Sequence, residues 1–414
     1  MLRARRCYAQ GDELRVGFSN VRLGWFTVRT MKTVHGLLAV ALTAVPLMAQ
    51  QAKSVQPNPY TRLMEKGVAH ARAHHNTGKQ YLSPYYRLVL KGAVDVDAVH
   101  AAGAGVVVWT PDDEDSIRAL IAKKVDGIIT DDPELLMSVL QEERAKAKGN
   151  AAQLKYLNNF ESSAHRGGRA DRPENTLPSF ENGLDAGVSV LETDAGVTKD
   201  GIAAIWHESY YRASACRKAD GSAYTDEDKV WIHDVTFAEA QKMFICDKLP
   251  FPEGNNKDYE GIAHKQKNDL ALSPVSVAFA KKEGIPSPYS PITLQQLFRF
   301  VKYYQWYYAK GPGQKSPLAP ERATTAMRVR VAPEIKYDIH VPPPHAQATA
   351  QEFVTAFAKA IRAEGFMGRT EIQSFYLPSL VLVQEQLPEI STYYLTSSTK
   401  NLKAPIIVPE IAVF

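Results

Sequence analysis

Cysteine is scarce, with three in 414 residues. Cys7 lies in a leader, so Cys216 and Cys246 remain as one possible disulfide or as two buried thiols. Charge of one sign is lacking too. The formal charge is +4, but Arg3, Arg5, Arg6, Arg15, Arg22, Arg29 and Lys32 set against Asp12 and Glu13 place +5 in residues 1–49. About −1 is left for residues 50–414, which makes no case for nucleic acid. Long apolar runs are nearly absent. The one that stands out, MKTVHGLLAVALTAVPLMAQ from Met31, is short for a membrane span. It has the length, the lysine and the small-residue exit Leu47-Met48-Ala49 of a secretory signal peptide. Cleavage after Ala49 would give a secreted or periplasmic protein with no stable membrane span, and translation could begin at Met31.

What is present is ordinary globular material, 45% hydrophobic and 23% charged, long enough for one α/β barrel with insertions. Residues 50–80 are polar with a short helical pattern; His70, His74 and His75 read as a solvated helix end without carboxylate or cysteine company. Residues 81–143 read as helix, strand, helix, strand, helix, with strands at 106–109 and 127–130. Residues 144–160 read as a linker. A second α/β run follows, with strand candidates at 162–165, 188–197, 203–207, 329–336, 370–375 and 392–396. The spacing predicts helices over 348–364 and 378–387. A polar, aromatic-rich insertion of weak periodicity occupies about 209–325. Strands alternating with helices imply parallel architecture. Six downstream strands and two upstream make the eight of a TIM (β/α)8 barrel. The Asp200-Gly201 turn is too tight for a parallel crossover, so 188–197 and 203–207 could instead form a hairpin.

The densest chemistry is AHRGGRADRPENTLPSFENGLDAGVSVLETDAGVTKDGIAAIWHE, residues 164–208. It holds two strand-end histidines, His165 and His207. Glu192 and Asp194, two apart on a strand, face one point. Glu334 in VAPEIK ends another strand, with Lys336 two residues on. Three hard carboxylates suit Mg²⁺ or Ca²⁺ better than zinc, and a barrel gathers strand C-termini at one mouth.

In their order, His-Arg, Pro-Glu-Asn-Thr, Glu-x-Asp, Thr-Lys-Asp-Gly, His-Glu and Glu-Ile-Lys resemble the glycerophosphodiester phosphodiesterases of the phosphatidylinositol-phospholipase-C-like barrel group. The resemblance covers roughly residues 81–140 and 160–400. It implies that His165 and His207 are the acid/base pair and that Glu192, Asp194 and Glu334 hold one divalent cation. Arg166 would clamp the phosphate, Glu174 would support the site, and Lys336 would offset phosphate charge. Ser374-Phe375-Tyr376 matches the family's SFD-like strand, and Trp109 its late tryptophan, lining the substrate pocket. The implied reaction converts a small glycerophosphodiester to glycerol 3-phosphate and an alcohol, with the glycerol hydroxyl attacking first. Alternatives are a lysophospholipase D or sphingomyelinase-D-like enzyme, and a non-catalytic binding barrel.

Two features depart from the family. His207-Glu208 stands where His-Asp is usual, and the family's C-terminal end comes first in this chain. A circular permutation, with residues 81–143 supplying strands seven and eight to a barrel begun at 161, accounts for that order. A tandem remnant and a rearranged gene are the alternatives.

Overall fold

The computed structural model describes residues 58–249, 267–342, 345, 347–403 and 407–413. The leader, its signal-like run and Cys7 lie outside the described residues. The chain opens with α1 (Pro59–Ala73), then β1 (Gln80–Pro84), α2 (Tyr86–Leu90), α3 (Val96–Ala101), β2 (Gly105–Trp109), α4 (Glu114–Ala122), β3 (Gly127–Thr130), α5 (Pro133–Lys146) and α6 (Ala151–Asn159). It continues through β4 (Glu161–Ala164), α7 (Leu177–Ala186), β5 (Val190–Val197) and β6 (Ala203–Ile205). The insertion contributes β7 (Tyr210–Tyr211), β8 (Arg217–Lys218), β9 (Val230–Trp231), α8 (Phe237–Met243) and β10 (Phe244–Ile245). Then come α9 (Pro274–Glu283), α10 (Leu294–Ala309), α11 (Ala319–Arg328), β11 (Arg330–Ile335), α12 (Ala350–Glu364), β12 (Glu371–Ser374), α13 (Leu377–Gln386) and β13 (Ser391–Thr396).

Eight parallel strands run in the order β11-β12-β13-β1-β2-β3-β4-β5, and pairing of β5 with β11 closes the ring. Closure removes the open edges that a six-stranded downstream sheet would carry. The upstream strands thus sit between β13 and β4, as the fold class required. The division differs from the six-plus-two expectation and is five plus three. The extra upstream strand, QYLSP, was hidden because its Gln80 and Ser83 are buried polar residues rather than apolar ones. Residues 203–205, in turn, pair antiparallel with β5 (Ala195 against Ile205) and form the hairpin that the Asp200-Gly201 turn signalled.

Two further expectations are corrected. Residues 144–160, read as a linker, are largely helical: α5 runs to Lys146, and Asn150 caps α6 by accepting from Gln153 N at 3.1 Å. The pair α5–α6 is the crossover between β3 and β4. Nor is all of 209–325 an insertion. Leu294, Leu297, Phe298, Val301, Tyr304 and Tyr308 form a buried stripe at helical spacing, so α10 is a barrel crossover helix. The true excursion follows β6. It carries its own core of Trp206, Tyr211, Phe237 and Phe244, and Cys216 and Cys246 are disulfide-bonded within it.

Candidate active site

The register of the ring sets the site. Asp194 on β5 pairs with Glu334 on β11, and Glu334 pairs with Gln373 on β12. Glu192 lies two residues below Asp194 on the same face. Ligand oxygens of Glu192, Asp194 and Glu334 all lie within 4.8 Å of one another, and all three residues are buried. Lys336 Nζ sits 2.8 Å from Glu334 Oε1 and 3.8 Å from Asp194 Oδ1. Gln373 Nε2 donates to Glu192 Oε1 at 2.5 Å.

His165 follows β4 directly. Its Nδ1 meets Asp131 Oδ1 and its Nε2 lies 4.0 Å from Glu192 Oε2. Burial would raise the Asp131 carboxyl, but Arg169 and His165 outweigh that and hold it well below the usual range. An ionised carboxylate only accepts, so Nδ1 carries the proton and Nε2 is left with a lone pair. Burial also lowers the affinity of His165 for a second proton, against the pull of Asp131. Arg166 adopts φ 51°, ψ 33°, a left-handed conformation of the kind that concentrates at functional sites. The turn lets its backbone N donate to Glu192 Oε2 at 2.7 Å while its guanidinium reaches Glu174 (3.1 Å) and Asp194 (3.2 Å). Gly167 must follow: at φ 85°, a Cβ there would stand 2.6 Å from the Ser179 backbone of α7.

The PENT stretch builds the floor. Glu174 accepts from Arg166, Arg169 and Arg212. Burial opposes ionisation, yet these guanidinium groups hold the Glu174 carboxyl down to about 2. Asn175 Nδ2 donates to Asp194 Oδ2 at 2.9 Å, and its Oδ1 accepts from Thr193 at 2.8 Å. Thr176 caps α7 in a box with Ser179.

His207 arrives from the other side, just past β6. Its Nδ1 lies 3.0 Å from Glu208 Oε1, which also accepts from Arg212 at 2.9 Å. Burial, then Arg166 and Lys336, bring His207 down to about 4, so it is neutral near pH 7. The glutamate in place of the family's aspartate therefore still reaches the imidazole. His207, Glu334, Lys336 and Phe375 line one cavity of about 290 Å³ together with Tyr210 and Tyr337. Trp109 does not line that cavity. Its indole packs edge-on against Phe375, centroids 5.5 Å apart, and its Nε1 donates to Ser83 O at 2.9 Å. Trp109 comes from an upstream strand and Phe375 from the end of a downstream one, so the mouth draws on both parts of the chain.

The carboxylate cluster fits a hard divalent cation. Asp194 Oδ1 is buried without a hydrogen-bond partner. Burial and the charge of Asp194 push Glu192 well above the usual carboxylate range, and burial with Asp194 raises Glu334 to about 7, so the set is strained by its own charge. A dication there would relieve that repulsion, and an oxygen-only ligand set suits a hard cation. Asp131 and Arg169 were missed in the sequence. Asp131 stands at the end of the GIIT strand, where it reads as a helix-start acid, and Arg169 is the second arginine of HRGGR.

A family model for the glycerophosphoryl diester phosphodiesterase family matches residues 6–135 and 165–412. The chain belongs to the glycerophosphoryl diester phosphodiesterase family. A glycerophosphodiester phosphodiesterase of Bacillus altitudinis is 37% identical over 65 residues, 16% of this chain and 26% of that protein. The glycerophosphodiester phosphodiesterase 1 of Rattus norvegicus is 28% identical over 116 residues, 28% of this chain and 32% of that protein. The chain thus matches between a quarter and a third of the length of these relatives. A crystal structure of a glycerophosphoryl diester phosphodiesterase assignment from Silicibacter pomeroyi DSS-3 overlaps 58% of this chain and 65% of its own, with a TM-score of 0.41 at 22% identity. The barrel rests on its own strand order, and the family on the sequence match.

Proposed function

We propose that this chain hydrolyses small glycerophosphodiesters to glycerol 3-phosphate and an alcohol, using His165 and His207 as the acid/base pair. One observation carries the reading. Two imidazoles, each with Nδ1 held by a carboxylate, border the three cation-competent carboxylates: His165 Nε2 lies 4.0 Å from Glu192, and His207 shares a cavity wall with Glu334. With Nδ1 engaged, each Nε2 is the atom that moves a proton: one, neutral, accepts from the attacking hydroxyl. The other must first take up a proton, which an anionic phosphate bound beside it would favour, to donate to the leaving alkoxide. Glu192, Asp194 and Glu334 would hold one Mg²⁺ or Ca²⁺, which offsets phosphate charge when bound. Arg166, held by the Glu174 and Asp194 carboxylates, would meet the phosphate, and Lys336 supplies a second positive group at the cavity wall. Glu174 acts through the three arginines it orders, and Trp109 through Phe375.

A cavity of about 290 Å³ lies at the small end of ligand sites, which favours a water-soluble diester over a lysolipid. We also propose export to an oxidising compartment, which the Cys216–Cys246 bond supports. The placement of β1–β3 between β13 and β4 supports a permuted gene order.

The test is release of glycerol 3-phosphate from glycerophosphocholine, with and without EDTA and with Mg²⁺ or Ca²⁺ restored. Metal-dependent release is expected, and His165→Ala and His207→Ala should each lower kcat by roughly 10²–10⁴ while remaining folded. Release that EDTA leaves untouched would remove the cation from the reading. Cleavage of lysophosphatidylcholine in preference to the soluble diester would favour the lipid-acting alternative.

A further inference from the structure

A second cluster of metal-ligand type lies outside the mouth, where α1 meets α13. His70 in the last turn of α1, His74 at its C-cap and Glu385 near the end of α13 place one ligand atom each within 4.8 Å of one another. The histidines share a helix face four residues apart, and their rings stack at 4.4 Å. The carboxylate company that the sequence did not show arrives from a helix more than 300 residues away.

The hydrogen bonds around His70 decide which nitrogen is free. Gln80 Nε2 donates to the Gly78 carbonyl at 2.8 Å, which fixes that amide's orientation. Gln80 Oε1 then accepts from Gln384 Nε2 at 2.7 Å. Gln384 Oε1 is left facing His70 Nδ1 at 2.8 Å. Nδ1 must carry the proton, and the lone pair sits on Nε2. This is the outer-sphere arrangement that orients metal-bound histidines. His70 Nε2 lies 3.6 Å from Glu385 Oε1, close to the ~3.3 Å edge of a tetrahedral site with bonds near 2.0 Å. His74 and Glu385 are exposed, so the remaining closure costs only side-chain rotation. The C-terminus of α1 adds its partial negative charge.

We propose that His70, His74 and Glu385 form a zinc site on the outside of the barrel, with solvent as the fourth ligand. Two imidazoles and a carboxylate select Zn²⁺, whereas the all-oxygen mouth selects a hard cation. The site spans a particular seam. Helix α1 leads into β1 and α13 leads into β13, and β1 pairs with β13 where the upstream and downstream parts of the chain meet. Zinc there would clamp the seam between the upstream and downstream parts of the chain.

The test titrates Zn²⁺, and Co²⁺ as a spectroscopic probe, into the untagged chain with the mouth saturated by Mg²⁺. Wild-type protein should bind one equivalent, show the visible absorption of low-symmetry Co²⁺, and gain a few degrees in Tm. His74→Ala and Glu385→Gln should each weaken binding at least tenfold and abolish the Tm gain. Glycerophosphocholine turnover in Mg²⁺ should be unchanged in both, which separates this site from the proposed active site. Equal zinc affinity in wild type and both variants overturns the proposal, as does wild-type binding no tighter than millimolar.

Discussion

At the scale of single residues, the decisive contacts are carboxylates that choose which imidazole nitrogen is free. Asp131 does this for His165 and also receives Arg169 Nε at 2.9 Å. Substituting Asp131→Asn keeps the shape but offers an amide whose N–H₂ group can face Nδ1. That arrangement favours the tautomer with the proton on Nε2, which can no longer accept one. Asp131 is a positioning residue, so kcat should fall by roughly 10²–10⁴ with KM nearly unchanged and the protein still folded. A variant with wild-type kcat would show that Asp131 does not orient His165. Asp131 was legible only as a strand-end acid, because its partner lies 34 residues on and on the next barrel strand.

At the scale of elements, helix α9 shows how one helix completes another. Its own N-cap, Ser273, makes no side-chain cap. Glu181 on α7 supplies it instead, accepting from Val275 N at 3.0 Å, Ser276 N at 2.7 Å and Ser276 Oγ at 2.6 Å. A carboxylate at a helix start satisfies orphan donors and meets the positive end of the dipole. Glu181→Ala should cost about 1–3 kcal/mol, read as a lower denaturant midpoint at constant slope. An unchanged midpoint would mean that water replaces the cap at no cost. The cap could not be read from the sequence, since 94 residues separate its partners. Helix α10 teaches the converse. Its apolar stripe was present in LQQLFRFVKYYQWYYA, but it lies within a polar, aromatic-rich stretch whose periodicity as a whole is weak.

At the scale of the whole molecule, the barrel is sealed at the end opposite the mouth by a second charged cluster. Arg330 opens β11 and pairs with Glu161 at the start of β4 (2.6 Å) and Glu371 at the start of β12 (2.8 Å). Tyr393 of β13 contacts both glutamates and stacks on Tyr81 of β1, centroids 4.5 Å apart. One guanidinium serves two buried carboxylates. Burial, then the charge of Glu371, raises Glu161 from 4.5 to about 8. A folded-state pKa above the unfolded value means that the folded protein holds the proton more tightly. The stabilising contribution is full below about pH 4.5 and is lost as pH rises toward 8. Urea midpoints of wild type should therefore fall relative to Glu161→Gln across that window. Parallel pH profiles would show that Glu161 ionises normally in the fold.

The sequence by itself determined the fold class, the family and the order of the chemistry-bearing motifs. Those signals are local: alternating apolar runs, Glu-x-Asp on one strand face, and a histidine at a strand end. It also signalled the hairpin at Asp200-Gly201, because five residues between β5 and β6 are too few for a parallel crossover. Only the tertiary structure decided that Gln80–Pro84 is a barrel strand, since its buried Gln80 is satisfied by Gln384 far along the chain and its Ser83 is placed by backbone pairing with Leu395 of β13. The same holds for Asp131 beside His165, for Arg212 reaching in from the excursion to Glu174, and for Glu385 beside His70. Each depends on tertiary packing, which brings elements distant in sequence side by side and turns isolated polar residues into sites.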